Sequence, residues 1–115
     1  MKPLKQYSEG HTINKKEMVD ENVTIVNRFF ECLQRLKEEK VIRGVQTFTK
    51  VHGINRRNLY TLQHAPERGM FQVSWLAFLV RDYMVSPLWL LTGDGSFFLT
   101  GWDAEKVKKM QSNGK

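Results

Sequence analysis

Apolar residues recur at helical spacing along most of this chain. Val26, Phe29, Phe30, Leu33 and Leu36 fall three or four positions apart, which predicts a first amphipathic helix from about Glu21 to Glu39. Just ahead of it, Asn14-Lys15-Lys16-Glu17 has the spacing of a capped helix start with little apolar content, enough for one extra turn. Residues 1–13 are expected to be loose. From Phe71 to Met84 the run is apolar nearly all round, carrying Phe71, Val73, Trp75, Leu76, Phe78, Leu79, Val80 and Tyr83, and predicts a central buried helix. A shorter helix follows: Ser86 caps it, Pro87 suits the first helical position with its fixed φ, Leu88 to Leu91 pack, and Gly93 ends it. The expected fold is all-α, a compact bundle of about five helices. Residues 1–19 are read as an N-terminal extension, 20–95 as the domain and 96–115 as a C-terminal tail.

The most informative stretch runs from Phe48 to Tyr60. Phe48-Thr49-Lys50-Val51-His52 is a short amphipathic segment closed by Gly53, a residue able to take the left-handed conformation without a Cβ penalty. Ile54 can plug the corner and Asn55 is a good N-cap, so a new helix starts near Arg56. On it Leu59 and Leu62 share one face and pack inward, leaving Arg56, Arg57, Asn58, Tyr60 and Thr61 outward or at the edge. Two helices joined by a tight turn, the second presenting polar and basic side chains at its start, is the arrangement that places a helix in the DNA major groove.

With Phe48-Thr49, Gly53-Ile54-Asn55, Leu59, Leu62 and the later run Val85-Ser86-Pro87-Leu88-Trp89-Leu90-Leu91-Thr92-Gly93-Asp94-Gly95, the sequence resembles the lambdoid-repressor helix-turn-helix family, the Xre/Cro/C1-type regulators. The likeness spans roughly residues 23–95. It differs from the family pattern at Val45, where Gln is common and Gln46 comes one place later, and at Thr49, where the family usually has Ala. It differs again at Gln63-His64-Ala65-Pro66, in place of Glu-x-Gly. The resemblance implies a lambda-repressor-like domain and a transcriptional regulator, a repressor, that binds double-stranded DNA as a homodimer at pseudo-palindromic sites. It assigns base reading to Asn55, Arg56, Arg57, Tyr60 and Thr61, with Asn58 added from the exposed first turn. Arginine suits guanine O6 and N7, and Asn58 or Thr61 suits adenine or a thymine methyl. Arg43, Gln46, Lys50, His64 and Arg68 are placed for phosphates.

Charge reinforces that picture. The 115 residues carry a formal net charge of +6. Between Arg43 and Arg68 stand Arg43, Lys50, Arg56, Arg57 and Arg68 against Glu67 alone. A basic patch of this kind favours phosphate through counterion release, although a basic stretch is also an ordinary solvated face. Its coincidence with the turn geometry favours the first reading.

Other chemistries find little support in the residues. Cys32 is the single cysteine, set among Phe29, Phe30, Leu33 and Leu36, which excludes an intramolecular disulfide and a multi-cysteine metal site and reads as a core thiol. His52, just ahead of Gly53, has no second ligand at metal spacing. The aromatics of residues 71–84 are at core spacing rather than around a cofactor, so no metal and no cofactor is expected. No Ser-His-Asp set, paired carboxylates or phosphate-cradling glycine loop is visible, and Asp94 fits the Gly93-Asp94-Gly95 turn, so an enzyme is not expected. No apolar run has the length of a membrane span or the form of a secretory signal, and a cytoplasmic location is expected. Phe97, Phe98, Leu99 and Trp102 need a surface to cover them, either their own bundle or a second copy, and the segment from Phe97 to Trp102 is the expected dimer contact. The alternative function is an antitoxin or adaptor in which the same fold meets protein, with the C-terminal tail as a route to a protein partner.

Overall fold

Six α-helices, one more than expected, account for nearly all of the secondary structure in the computed structural model, which describes residues 15–67 and 70–113 and the side chains of residues 21–67 and 70–112. They are α1 (Lys15–Glu38), α2 (Val45–His52), α3 (Arg56–His64), α4 (Val73–Tyr83), α5 (Pro87–Thr92) and α6 (Ala104–Asn113). Among the described residues there is no strand, only an isolated antiparallel bridge between Val85 and Phe98. The class is therefore all-α. No described helix is long and apolar enough to cross a membrane. The expected loose segment, residues 1–13, lies outside the described residues, as does Arg68.

α1 is longer than the apolar pattern indicated. It starts at Lys15 rather than near Glu21, so the boundary placed after residue 19 falls inside a continuous helix. It ends by wrapping Lys40 into the left-handed region, φ 64°, while the Val41 amide donates to the Leu36 carbonyl. Along its inner face Val26, Phe29, Cys32, Leu33 and Leu36 are buried, and the helix packs on α2, α3 and α5. Burial pushes the Cys32 thiol far above its ordinary range, so it behaves as a small apolar core residue.

The shorter helices follow their local signals closely. α2 closes on Gly53 at φ 65°, ψ 34°, and the Ile54 amide donates to the Thr49 carbonyl across the turn. Asn55 Oδ1 accepts from the Asn58 amide at 3.0 Å, capping α3. At α5, Ser86 Oγ accepts from the Trp89 amide, Pro87 opens the helix and Gly93 ends it at φ 81°. Arg28 reaches over from α1 to donate to the Leu90 carbonyl at 3.0 Å, satisfying one of the open carbonyls at the end of α5.

The C-terminal segment takes one of the two courses that the sequence left open. Rather than offering an apolar strip to a second copy, it folds back on its own bundle: Phe97 is 4% exposed, and Phe98 and Trp102 are partly buried against the core. The Ser86 amide donates to the Phe97 carbonyl and the Leu99 amide to the Met84 carbonyl, which fixes the register of the return. Phe97 meets Trp89 edge to face at 4.8 Å, with the Arg35 guanidinium over its ring at 4.3 Å. Asp103 then caps α6 by accepting from the Lys106 amide, and Val107 is fully buried. The tail is thus part of the core, and the dimer contact placed there has no free apolar surface at Phe97. Replacing Phe97 by Ala should lower the unfolding free energy by about 3–5 kcal/mol, the usual cost of a buried Phe→Ala cavity. Urea titration followed by circular dichroism reads it, and a change below about 1 kcal/mol would mean that the segment is not docked.

Candidate nucleic-acid interface

The positions singled out from the sequence cluster around the α2–α3 corner. α3 has two inward anchors, Leu59 at 3% exposure and Leu62 at 0%, and these set its rotation. Asn55, Arg56, Arg57, Asn58, Tyr60 and Thr61 are all exposed, as are Gln46, Lys50, Arg43 and His64. At 100° per residue, Arg57, Thr61 and His64 stand across the helix from Leu59 and Leu62, with Tyr60 beside them. Tyr60 is 64% exposed and lies against His64, ring centroids 4.2 Å apart. Arg56 lies on the Tyr60 flank, toward the start of α2. The Asn55 carbonyl oxygen is occupied by its cap, which leaves the side-chain NH₂ as the group free to meet a ligand.

A groove of about 590 Å³ runs between the end of α1, the start of α2 and the flank of α3. Arg43, Gln46, Arg56 and Tyr60 line it together, so the structure brings these four into one place. Lys50, Arg57, Asn58, Thr61 and His64 do not line it. Lys37 and Gln63 do, and sequence reasoning passed over both. Lys37 looks like one more polar residue on the outer face of a long helix, and Gln63 like a residue past the first turn of the next. Only tertiary packing puts them beside Arg43.

Local chemistry favours an anion here. No side chain caps the start of α2, neither α2 nor α3 has an acidic residue in its first turn, and Lys37, Arg43 and Arg56 face the groove. Open helix amides and guanidinium groups together make a positive surface. Thr49 is 1% exposed and donates its hydroxyl to the Gln46 carbonyl at 3.1 Å. The buried polar group is thereby satisfied within α2 rather than forcing the helices apart.

His52, the last residue of α2, is structural. Its ring stacks on Phe78 at 4.4 Å and 11°, lies 4.7 Å from Phe48, and is 6% exposed. Nε2 is 3.4 Å from the Tyr83 hydroxyl and Nδ1 is 3.8 Å from Asp82, so a tautomer with its proton on Nδ1 suits both neighbours. Among the described residues no three His, Cys, Asp or Glu side chains come together as a metal site. Tyr83, buried beside Asp82, has its phenol pushed up to about 12.

The chain matches no protein-family model, no curated protein and no solved structure.

Burial lowers the pKa of His52 below its ordinary value of 6.5, with Asp82 opposing and Arg81 reinforcing the shift. Acidification below about 6.5 therefore loads a proton onto the unfolded chain before the folded one, and stability falls with pH in that window. His52→Gln should flatten this part of the stability profile, measured as urea midpoints from neutral into mildly acidic solution. An unchanged slope would show that His52 carries its proton as easily folded as unfolded.

Proposed function

We propose that this chain is a sequence-specific double-stranded DNA-binding protein of the lambda-repressor-like, Xre/Cro/C1-type kind, a transcriptional regulator acting as a repressor, which reads the major groove with α3. One observation carries the reading: α3 buries only Leu59, Leu62 and their neighbouring backbone, and presents a polar, basic outer face immediately after a left-handed glycine turn.

The two arginines take different roles in this reading. Arg57, on the outermost stripe with Thr61, meets base edges, with guanine O6 and N7 as its best partner. Arg56, in the groove with Arg43, Gln46 and Lys37, meets the phosphate backbone. Lys50 and His64 flank the same face and add phosphate contacts.

Selection from a random duplex library, followed by affinity measurements over a salt series, tests this directly. The expected result is an enriched site. Arg57→Ala should lose about 1–3 kcal/mol at one base pair and relax the preference there. Arg56→Ala should weaken all sequences alike and reduce the slope of log K against log salt by about 1. Salt-sensitive binding without any enriched site would overturn the sequence-specific reading. Absence of binding at low salt would move the function to protein contact, as in an antitoxin or adaptor.

A further inference from the structure

The groove beside α3 does not end at Arg43. That side chain also lines a second, more open cleft of about 730 Å³, formed by the turn after α1 and the second half of α6, with Lys40, Val41, Lys108, Gln111 and Ser112 as its other walls. The two clefts therefore adjoin. Lys37, Arg43 and Arg56 line the first and Lys40, Arg43 and Lys108 the second, and among the described residues no carboxylate lines either. The groove of about 450 Å³ beside α5 is the contrast: Val23, Val26, Phe71 and Leu76 wall it, and Glu67 is the charged residue among those described.

The acidic groups nearby do not cancel this charge. Glu38 and Glu39, at the end of α1, are exposed and line neither cleft. Asp103 is occupied in capping α6, and Asp82, whose backbone carbonyl accepts from Gln111, keeps its carboxylate on Arg81 at 3.0 Å. Glu105 does reach a cleft cation, accepting from Lys108 Nζ at 3.0 Å. It is 81% exposed, and a surface pair of that kind contributes little and exchanges readily for another anion. Among the described residues Lys40 and Arg43 have no ion-pair partner.

The backbone at Lys40 is a second, independent observation. The Val41 amide donates to the Leu36 carbonyl and the Lys40 amide to the Lys37 carbonyl, both at 2.9 Å, with Lys40 itself left-handed at φ 64°. This is the paired closure of a helix end whose left-handed position glycine usually fills, because a Cβ there is crowded. A lysine at that position strains the backbone and sets an ammonium group at the mouth of the cleft.

We infer that this second cleft binds phosphates of duplex DNA flanking the site read by α3, so that α6, through Lys108, clamps the backbone together with Lys40 and Arg43. The inference rests on the DNA-binding reading and extends its footprint to a helix beyond residues 23–95, over which the family likeness runs. Continuity with the α2–α3 groove at Arg43 selects this ligand. The cleft has no aromatic wall on which an unpaired base could stack, and its cations with the Ser112 hydroxyl suit phosphate oxygens of any sequence.

The test compares the full chain with a Lys40→Gly, Lys108→Ala double variant on a duplex carrying the selected site, over a salt series. Glycine suits the left-handed position and Lys108 gives up only a surface pair, so the thermal melt should hold or rise. The slope of log K against log salt should fall by about 2, with affinity weakened roughly 10–30-fold near 0.15 M salt for every sequence alike and the base preference unchanged. Lys109→Ala removes the same charge from an exposed position on α6 that lines neither cleft, and should leave the slope nearly unchanged. Should Lys108→Ala lower the melt, Lys108→Gln keeps most of the stem and should give the same loss of slope. A double variant with the wild-type slope overturns the inference and leaves the α3 reading standing, since Arg57→Ala reports on that separately. A loss from Lys109→Ala as large as from Lys108→Ala overturns it too, by tracing the effect to net charge. If selection enriches no site, the same comparison on an arbitrary duplex must still show the loss of slope, and a chain that binds no DNA overturns both readings.

Discussion

The ring of Phe29 is the point on which the arrangement turns. It is fully buried and meets Phe48 of α2 at 5.9 Å, Phe71 ahead of α4 at 5.3 Å, Trp75 of α4 at 5.8 Å and Phe30 beside it at 5.1 Å. The contacts with Phe30, Phe48 and Phe71 are edge to face, a geometry worth about 0.5–1.5 kcal/mol each beyond the area buried. More important is what they connect. α2 and α3 have 8 and 9 residues, too short to hold helical structure alone. Phe48 anchors α2 on Phe29, α2 fixes the Gly53 turn, and the turn fixes where α3 begins. Leu59 and Leu62 then set the rotation of α3, so the direction of every polar side chain on its outer face is inherited from the core.

Local signals were readable where one residue decides the conformation. Gly53, Pro87 and Gly93 act through their own backbone and Asn55 and Ser86 through a cap three residues away, and each does in the structure what its type implies. The inward positions of α1 and α3 were legible for a similar reason, since periodicity reports one face at a time, whereas the run read as buried nearly all round has an exposed side in α4 that begins at Val73. What failed was anything requiring the partner of an apolar residue. Phe97 and Trp102 announced that they needed a surface, and nothing local distinguished their own bundle from a second copy; the bridge from Phe98 to Val85 and the edge-to-face contact of Phe97 with Trp89 place the segment on its own bundle. The sixth helix was missed because its sequence is mostly polar and is held by Val107, Ala104 and the Asp103 cap. The end of α4 carried no glycine signal either, as Met84 takes the left-handed conformation itself at φ 55°. Of the candidate residues, the exposure was legible in the sequence, whereas the placing of Arg56 but not Arg57 in the groove, with Lys37 and Gln63, needed the packing of α1 on α2.

Among the described residues the basic groove at the α2–α3 corner and the apolar groove beside α5 lie apart, and their separation has a physical logic. Concentrating cations at the α2–α3 corner raises the local potential far more than spreading them would, at the expense of mutual repulsion. That repulsion is tolerable at exposed positions, where water and salt screen it. The apolar groove beside α5 could not share that corner without desolvating guanidinium groups. The bundle separates the two by placing α1 between them, one of its ends against α2 and α3 and the other against α5.

The first turn of α3 violates a local rule. Arg56 and Arg57 sit at a helix N-terminus, where the macrodipole disfavours cations by roughly 0.3–1 kcal/mol each, and no acidic residue in that turn offsets them. Nothing in the described core needs them: both side chains are exposed and no hydrogen bond or ion pair ties them to the bundle. A sequence selected for stability alone would place Asp or Glu there, as the neighbouring Asn55 cap invites. Under the proposed reading the conflict disappears on binding, because phosphate oxygens and base acceptors supply the negative charge that the helix start lacks. The same anion would then be favoured by the helix amides and by the guanidinium groups together, so the free protein carries a small electrostatic penalty that its ligand removes.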